Sequence, residues 1–130
     1  MNEEISLVLI GSITHSTPLY HNGVRERFGG GVMYGVKAAA QLGIRTSVIT
    51  VGAEDIEPGI RELEDKGVRV VRIPRGTSNN FANDYTSEPR RLLMKSIIDK
   101  PAEREEIEKH MENSRAVVLC PLYNEIDSRI

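Results

Sequence analysis

Three short runs rich in β-branched residues, each separated from the next by a helical pattern, constrain this chain more than any other feature. They are Ile5-Ser-Leu-Val-Leu-Ile10, Thr46-Ser-Val-Ile-Thr-Val51 and Val68-Arg-Val-Val-Arg-Ile73. The first ends at Gly11 and the third at Pro74, and their length suits buried strands. Between the first two, Val32, Val36, Ala39 and Ala40 fall on one face of a stretch from Val32 to Leu42, with Gly43 as its stop. Between the second and third, Glu57 to Lys66 reads as a helix. Pro58 lies in its first turn, Ile60 and Leu63 face inward, and Gly67 ends it. Strand, helix, strand, helix, strand in that order predicts right-handed crossovers and an α/β fold, a mostly parallel sheet with flanking helices.

The remainder breaks the alternation. Ser12 to Phe28 is a polar loop containing Pro18, Asn22 and Gly23. Thr77 to Ser87 is polar and Asn-rich with isolated apolar residues at Phe81 and Tyr85, and Arg91 to Ile98 reads as a strand. The last two predict an antiparallel or protruding pair. Pro101 to Asn113 reads as a charged helix with Ile107 and Met111 one turn apart, and with Glu105 and Lys109 placed to pair. Ala116 to Cys120 is the last strand. The chain, 130 residues long, reads as one domain without repeat or linker, large enough to bury a core without a metal or disulfide. A sheet ending at the Ala116 strand is expected to leave an unpaired edge that favours self-association.

Charge and composition exclude several functions. The formal net charge is −2 and aromatic residues are few, so nothing points to nucleic acid or to an anionic membrane. The single cysteine, Cys120, sits in an apolar run and reads as a small buried residue in a reducing compartment. Met1-Asn-Glu-Glu is acidic where a signal peptide is basic, and Ile5 to Ile10 is too short to span a bilayer, which predicts a cytoplasmic protein. His15 and His21 are six apart, a spacing that fits neither a helical nor a strand metal pair. They and His110 read as surface or loop residues, and no metal site is predicted.

The glycine triplet Gly29-Gly-Gly31 directly precedes the first helix, where it lets a ligand approach the backbone and the free N–H groups of the first turn. A dinucleotide fingerprint would need a third glycine at Tyr34. A Walker loop begun at Gly30 would need lysine at Val36, and Lys37 comes one residue late. Spacing alone leaves two readings open, a tight turn into the helix and a ligand-binding backbone.

Ordered blocks carry a resemblance. Gly11-Ser-Ile, Phe28-Gly-Gly-Gly31 with Ala38-Ala-Ala-Gln-Leu-Gly43, and Val51-Gly-Ala-Glu-Asp55 together are similar to the first half of the ribokinase-like (PfkB) carbohydrate kinases. Thr77 onward resembles that family's lid strands, and Pro121-Leu-Tyr-Asn-Glu-Ile126 resembles the loop after a strand bordering the sugar. The resemblance implies a ribokinase-like fold, incomplete, spanning 1–130, with a small β lid segment at about 12–28 and 77–98. It implies a sugar held between lid and loops. The family's Asn and Asp after strand one fall here on Thr14 and Ser16, and its Lys and Asn of the Gly-Gly block on Gly31 and Tyr34. All four depart from the ribokinase pattern, so ribose is not the expected substrate, and another polyol, a nucleoside or a sugar phosphate is. Gly11, Thr14, Ser16, Gly30, Gly31 and Tyr34 are the substrate-binding candidates, with Gly30 and Gly31 foremost, and His15 lies in the same loop.

The same resemblance implies ATP and Mg as cofactors of an ATP-dependent kinase that phosphorylates a sugar hydroxyl. The family's phosphoryl transfer uses a Gly-Ala-Gly-Asp segment, whose amides stabilise the transferring phosphate and whose Asp is the base. No glycine occurs here after Gly76, and Asp84, Asp99 and Asp127 have no glycine neighbours. The expectation is therefore a substrate-binding portion that alone neither turns over nor binds nucleotide, with no catalytic residue of its own. The alternatives are a stand-alone sugar-binding or dimerisation module pairing through the lid strands, where Phe81, Tyr85 and Leu92 offer an apolar patch, and an α/β domain of another class.

Overall fold

The strands that the apolar runs predict lie side by side in a parallel sheet, and the polar middle builds a second one. The computed structural model describes residues 5–24, 27–111 and 114–127. Along the chain the elements are β1 (Ile5–Gly11), β2 (Thr14–Ser16), β3 (Leu19–Tyr20), β4 (Gly23–Val24), β5 (Arg27–Gly29), α1 (Gly31–Gln41) and β6 (Thr46–Gly52). A single 3-10 turn (Glu54–Ile56) leads into α2 (Glu57–Glu64). Then come β7 (Arg69–Pro74), β8 (Asn80–Asp84), β9 (Arg91–Ser96), α3 (Arg104–Glu108) and β10 (Ser114–Cys120).

The first sheet has the order β10-β1-β6-β7, and each pairing in it is parallel. Both faces are covered, which is why its central strands are apolar without alternation. On one face Leu9 and Val48 pack with Val32, Met33 and Val36 of α1 and with Ile60 and Leu63 of α2. On the other, Val8, Ile10, Ile49 and Val51 pack with Ile98, Ala102 and Ile107. β10 has β1 as its neighbour and stands at an edge among the described residues. Val117, Val118 and Leu119 on it are 38%, 43% and 48% exposed, so both of its faces are partly open.

Two helices depart from the sequence reading. In α1 Met33 is buried and Ala40 is exposed, because the last turn stands clear of the sheet, where residues 40–45 are all exposed. The helix expected over 101–113 is confined to α3. Ala102 is held extended by a bridge to Ile126, with its N–H donating to the Glu125 carbonyl at 2.8 Å. Glu103 then caps the helix in a reciprocal box with Glu106. The exposed ion pair on α3 is Arg104 with Glu108. Residues 112 and 113 lie outside the described residues.

The second sheet runs β4-β3-β8-β2-β5, with β9 also on β8. β2 and β3 follow one another along one side of β8, both parallel to it, while β9 runs antiparallel on its other side. β5 returns antiparallel to β2 and delivers the chain straight into α1. The region read as a polar loop, 12–28, is thus largely short strands. Residues 25 and 26 lie outside the described residues.

Candidate functional site

Side chains alternate across a strand, so each strand of the second sheet shows one set of residues to each side. On one side stand Thr14, Ser16 and Pro18, with Arg27 paired opposite Ser16 and Gly29 opposite Thr14. Across β8 the same side carries Phe81, Asn83 and Tyr85, opposite Met94 and Leu92 of β9 and near Arg90. This side forms one wall of a cavity of about 460 Å³. Gly30, Gly31 and Tyr34 at the start of α1 line it below, and Leu122 and Tyr123 after β10 close another side.

The cavity lies beyond the carboxyl ends of β1 and β10. From β1 the chain proceeds to β6 and β7 on one side, whereas β10 joins on the other. The order reverses there, and such a switch point is where open α/β sheets leave a crevice for ligands.

Gly30 makes the close approach possible. Its φ of 104° is a glycine conformation, and a Cβ there would overlap the Ser12 carbonyl oxygen. It is the N-cap of α1 without a side-chain cap, and no acidic residue lies in the first turn. Met33 and Tyr34 donate their N–H groups to the Gly30 carbonyl, and Gly31, at the head of that turn, lines the cavity with no carboxylate in the turn to compete.

Five of the six sequence candidates, Thr14, Ser16, Gly30, Gly31 and Tyr34, meet at this cavity. The Thr14 and Ser16 hydroxyls lie 3.3 Å apart. Gly11 is not among the lining residues. It is the buried last residue of β1, paired with Cys120 of β10, where a Cβ would strike the Cys120 carbonyl, so its role is to let those strands meet. His15 turns to the opposite side of β2 and stacks on Phe28, with ring centroids 5.1 Å apart. Phe81, Tyr85 and Leu92, the apolar patch considered for subunit pairing, face the cavity. Leu93 is on the other side of β9.

A buried bracket fixes the loop that carries Leu122 and Tyr123. Glu125 is fully buried, and its carboxylate accepts the N–H groups of Ser12, Leu122 and Tyr123. Asn79 donates to Ser12 Oγ at 3.1 Å and to the Tyr123 carbonyl at 2.6 Å, and accepts the Ile98 N–H at 2.8 Å. The bracket holds the end of β1, the strand pair and the last loop in one arrangement. Cys120 packs beside Gly31, and burial pushes its thiol pKa up, with the Glu125 charge adding to the effect. That disfavours the thiolate a nucleophile would need.

A second, larger cavity of about 620 Å³ lies by Asp55, Arg72, Arg75 and Ser78. Its two arginines and Asp55 already have partners within the protein. Arg72 pairs with Glu57, Arg75 with Glu106, and Asp55 accepts from Ser78 and Asn80. Among the described residues no group of three or more His, Cys, Asp or Glu converges as metal ligands. No described helix is long and apolar enough to cross a membrane.

The sequence reading missed Arg27, Asn83, Arg90 and Met94, and it reached Leu122 and Tyr123 only as part of a loop that resembles one bordering the sugar. The period-2 alternation of 81–85 against 90–94 was the signal that could have found the strand residues. Without knowledge of how the strands pair, it did not say which side was inward.

No sequence-family model matches the chain, and no curated protein sequence does. Solved structures do match. A pyrophosphate-dependent kinase in the ribokinase family, complexed with a pyrophosphate analog and myo-inositol, aligns with a TM-score of 0.79 at 25% identity. The alignment covers 93% of this chain and 42% of that one. The fold is ribokinase-like. A sugar kinase from Pyrococcus horikoshii in complex with ATP gives 0.72 at 16% identity, covering 87% of this chain and 42% of that one. Ribokinase from Cryptococcus neoformans in complex with ADP gives 0.68 at 13%, covering 91% and 41%. This ribokinase-like chain thus corresponds to the N-terminal portion, about two-fifths, of the kinases it matches.

Proposed function

We propose that this chain is the substrate-side portion of a carbohydrate kinase and that the cavity under the second sheet receives the sugar or polyol whose hydroxyl is phosphorylated. One observation carries the reading. Residues from the β2–β5 strands, the α1 N-terminus, the β8–β9 pair and the loop after β10 line one cavity at the switch point of the parallel sheet. In this reading the second sheet is the lid. Thr14, Ser16 and Asn83 bond hydroxyls, the rings of Tyr34 and Tyr85 pack against the ligand, and the α1 amides bind an oxygen beside Gly30 and Gly31. Gly11 supports the site without touching the ligand.

Transfer itself needs groups that these residues do not supply. No acidic base lines the cavity among the described residues, and no glycine-rich segment follows Gly76. The chain by itself is expected to bind without turnover. The phosphoryl donor is ATP by likeness to kinases solved with ATP or ADP, or pyrophosphate by likeness to the pyrophosphate-dependent kinase. Magnesium is commonly held by one or two carboxylates together with substrate phosphates, and the described residues that line this cavity include neither Asp nor Glu. A cytoplasmic, metabolite-processing role fits this assignment.

Titration of the chain with neutral sugars, polyols and their phosphates, followed by amide NMR, tests the reading. Shifts concentrated at Gly30, Gly31, Tyr34 and Asn83 support it. Saturable binding that leaves those amides unmoved, or no binding by any such compound, defeats it.

A second reading has its own observation. The uncovered apolar residues Val117, Val118 and Leu119 on β10 favour a role in assembly, with a second copy or with further sheet strands covering that edge.

A further inference from the structure

Among the described residues that line the candidate sugar cavity, the charged side chains are of one sign. Arg27, on β5, and Arg90, just before β9, stand at opposite edges of the side of the second sheet that faces it. Among the described lining residues there is no Asp or Glu. Neither guanidinium pairs with a carboxylate among the described residues, and that of Arg90 lies over the Tyr85 ring, 5.7 Å from its centroid. The contrast with the other cavity is direct, because there both arginines are neutralised, Arg72 by Glu57 and Arg75 by Glu106. The uncapped N-terminus of α1, without an acidic residue in its first turn, opens into the same space and adds positive potential.

A neutral polyol does not account for this arrangement. Its hydroxyls both donate and accept, and a site built for them places carboxylates and amides as acceptors. A guanidinium only donates, and its planar fork matches the oxygens of a phosphate or carboxylate. Both arginines are exposed residues at the rim of the cavity, where salt screens their attraction for an anion, and Phe81, Leu92, Met94 and Leu122 supply apolar surface beside them. Resting on the reading of this cavity as the sugar site, we infer that its substrate is an acidic sugar derivative, a sugar phosphate or a sugar acid, whose anionic group is held by Arg27 or Arg90 while the carbon skeleton lies against the aromatic and aliphatic wall.

Calorimetric titration of the chain with fructose, fructose 6-phosphate, gluconate, myo-inositol and inorganic phosphate separates the outcomes. The expected result is that fructose 6-phosphate or gluconate binds at least about tenfold more tightly than either neutral compound, with an affinity that falls as salt rises. The phosphate and gluconate arms tell the two kinds of acid apart. Arg27→Gln and Arg90→Gln together are expected to weaken binding of the acidic ligand at least about tenfold more than binding of the neutral compounds, so that the preference is lost, with the circular dichroism spectrum unchanged. Neutral sugars binding as well as acidic ones, with shifts at the Gly30 and Gly31 amides, overturns the inference and leaves the sugar site standing. Inorganic phosphate binding as tightly as fructose 6-phosphate also overturns it, since the cavity is then a bare anion site. Binding of none of these ligands removes both.

Discussion

The carboxylate of Glu125 accepts the backbone N–H of Ser12 at 3.3 Å, joining the last loop to the end of β1 across 113 residues of sequence. The same carboxylate takes the N–H groups of Leu122 and Tyr123, so one buried side chain satisfies three backbone donors. Glu125→Ala leaves those donors without a partner. Each orphaned buried group costs about 1–3 kcal/mol, less where water enters the space left behind. We expect a loss of roughly 3 kcal/mol, measured by urea unfolding. Glu125→Gln, which keeps an acceptor oxygen, is expected to lose less than Glu125→Ala. Equal losses for the two variants would show that the bracket does not depend on these acceptors.

Gly30 provides a sharper test of backbone control. With φ at 104° and the Ser12 carbonyl beside it, alanine meets both strain and overlap. Gly30→Ala is expected to cost roughly 2–4 kcal/mol. It should also weaken ligand binding, because the start of α1 must move away from β1. Gly43→Ala serves as the comparison. Its φ is +70° but nothing crowds a Cβ there, so about 1 kcal/mol is expected. Thermal melts of the two variants check the difference.

The parallel sheet was legible because burial on both faces writes itself directly into β1 and β6, and Gly43 and Gly67 mark where the chain turns back. The site was legible in part. Thr14, Ser16, Gly30, Gly31 and Tyr34 come from two neighbouring segments with a glycine signal between them. Arg27, Arg90, Leu122 and Tyr123 join them only through strand pairing and loop closure, which are long-range facts. Glu125 is the clearest case. In sequence it is one acidic residue in a polar stretch, and its burial is set by partners far along the chain. The short α3 was hidden for a similar reason, since the bridge from Ala102 to Ile126 overrides a helical pattern around it.

Arg75 and Glu106 give a prediction in pH. The Arg75 guanidinium is nearly buried and makes two hydrogen bonds to the Glu106 carboxylate, at 2.6 and 3.0 Å. Those bonds, with the capping bond from the Glu103 N–H, hold the Glu106 carboxyl down at about 2. A depressed carboxyl contributes stability that is complete above the value of the unfolded chain, about 4.3, and that is lost as pH falls toward about 2. Glu106→Gln is therefore expected to be less stable than the parent by about 1–2 kcal/mol at pH 7, discounted for the partial exposure of Glu106. The gap should narrow steadily between pH 4 and pH 2. A gap that stays constant over that range would mean that the carboxylate's charge contributes nothing.

The edge strand makes the last prediction. Val117, Val118 and Leu119 present apolar surface on both sides of β10, whose free backbone groups can also pair with another strand. The chain is expected to self-associate at micromolar concentrations, seen as a rising sedimentation coefficient. Val118→Lys places a charge on this edge in a side chain that is already 43% exposed, so the fold should tolerate it while association weakens by about tenfold or more. Leu93→Lys, on the outer side of β9, separates this edge from the second sheet as the contact surface. If Leu93→Lys breaks association and Val118→Lys does not, the second sheet is the surface and the β10 edge is covered in some other way. If neither affects it, both surfaces are excluded. A parent chain that remains monomeric across the whole concentration range would refute the prediction directly.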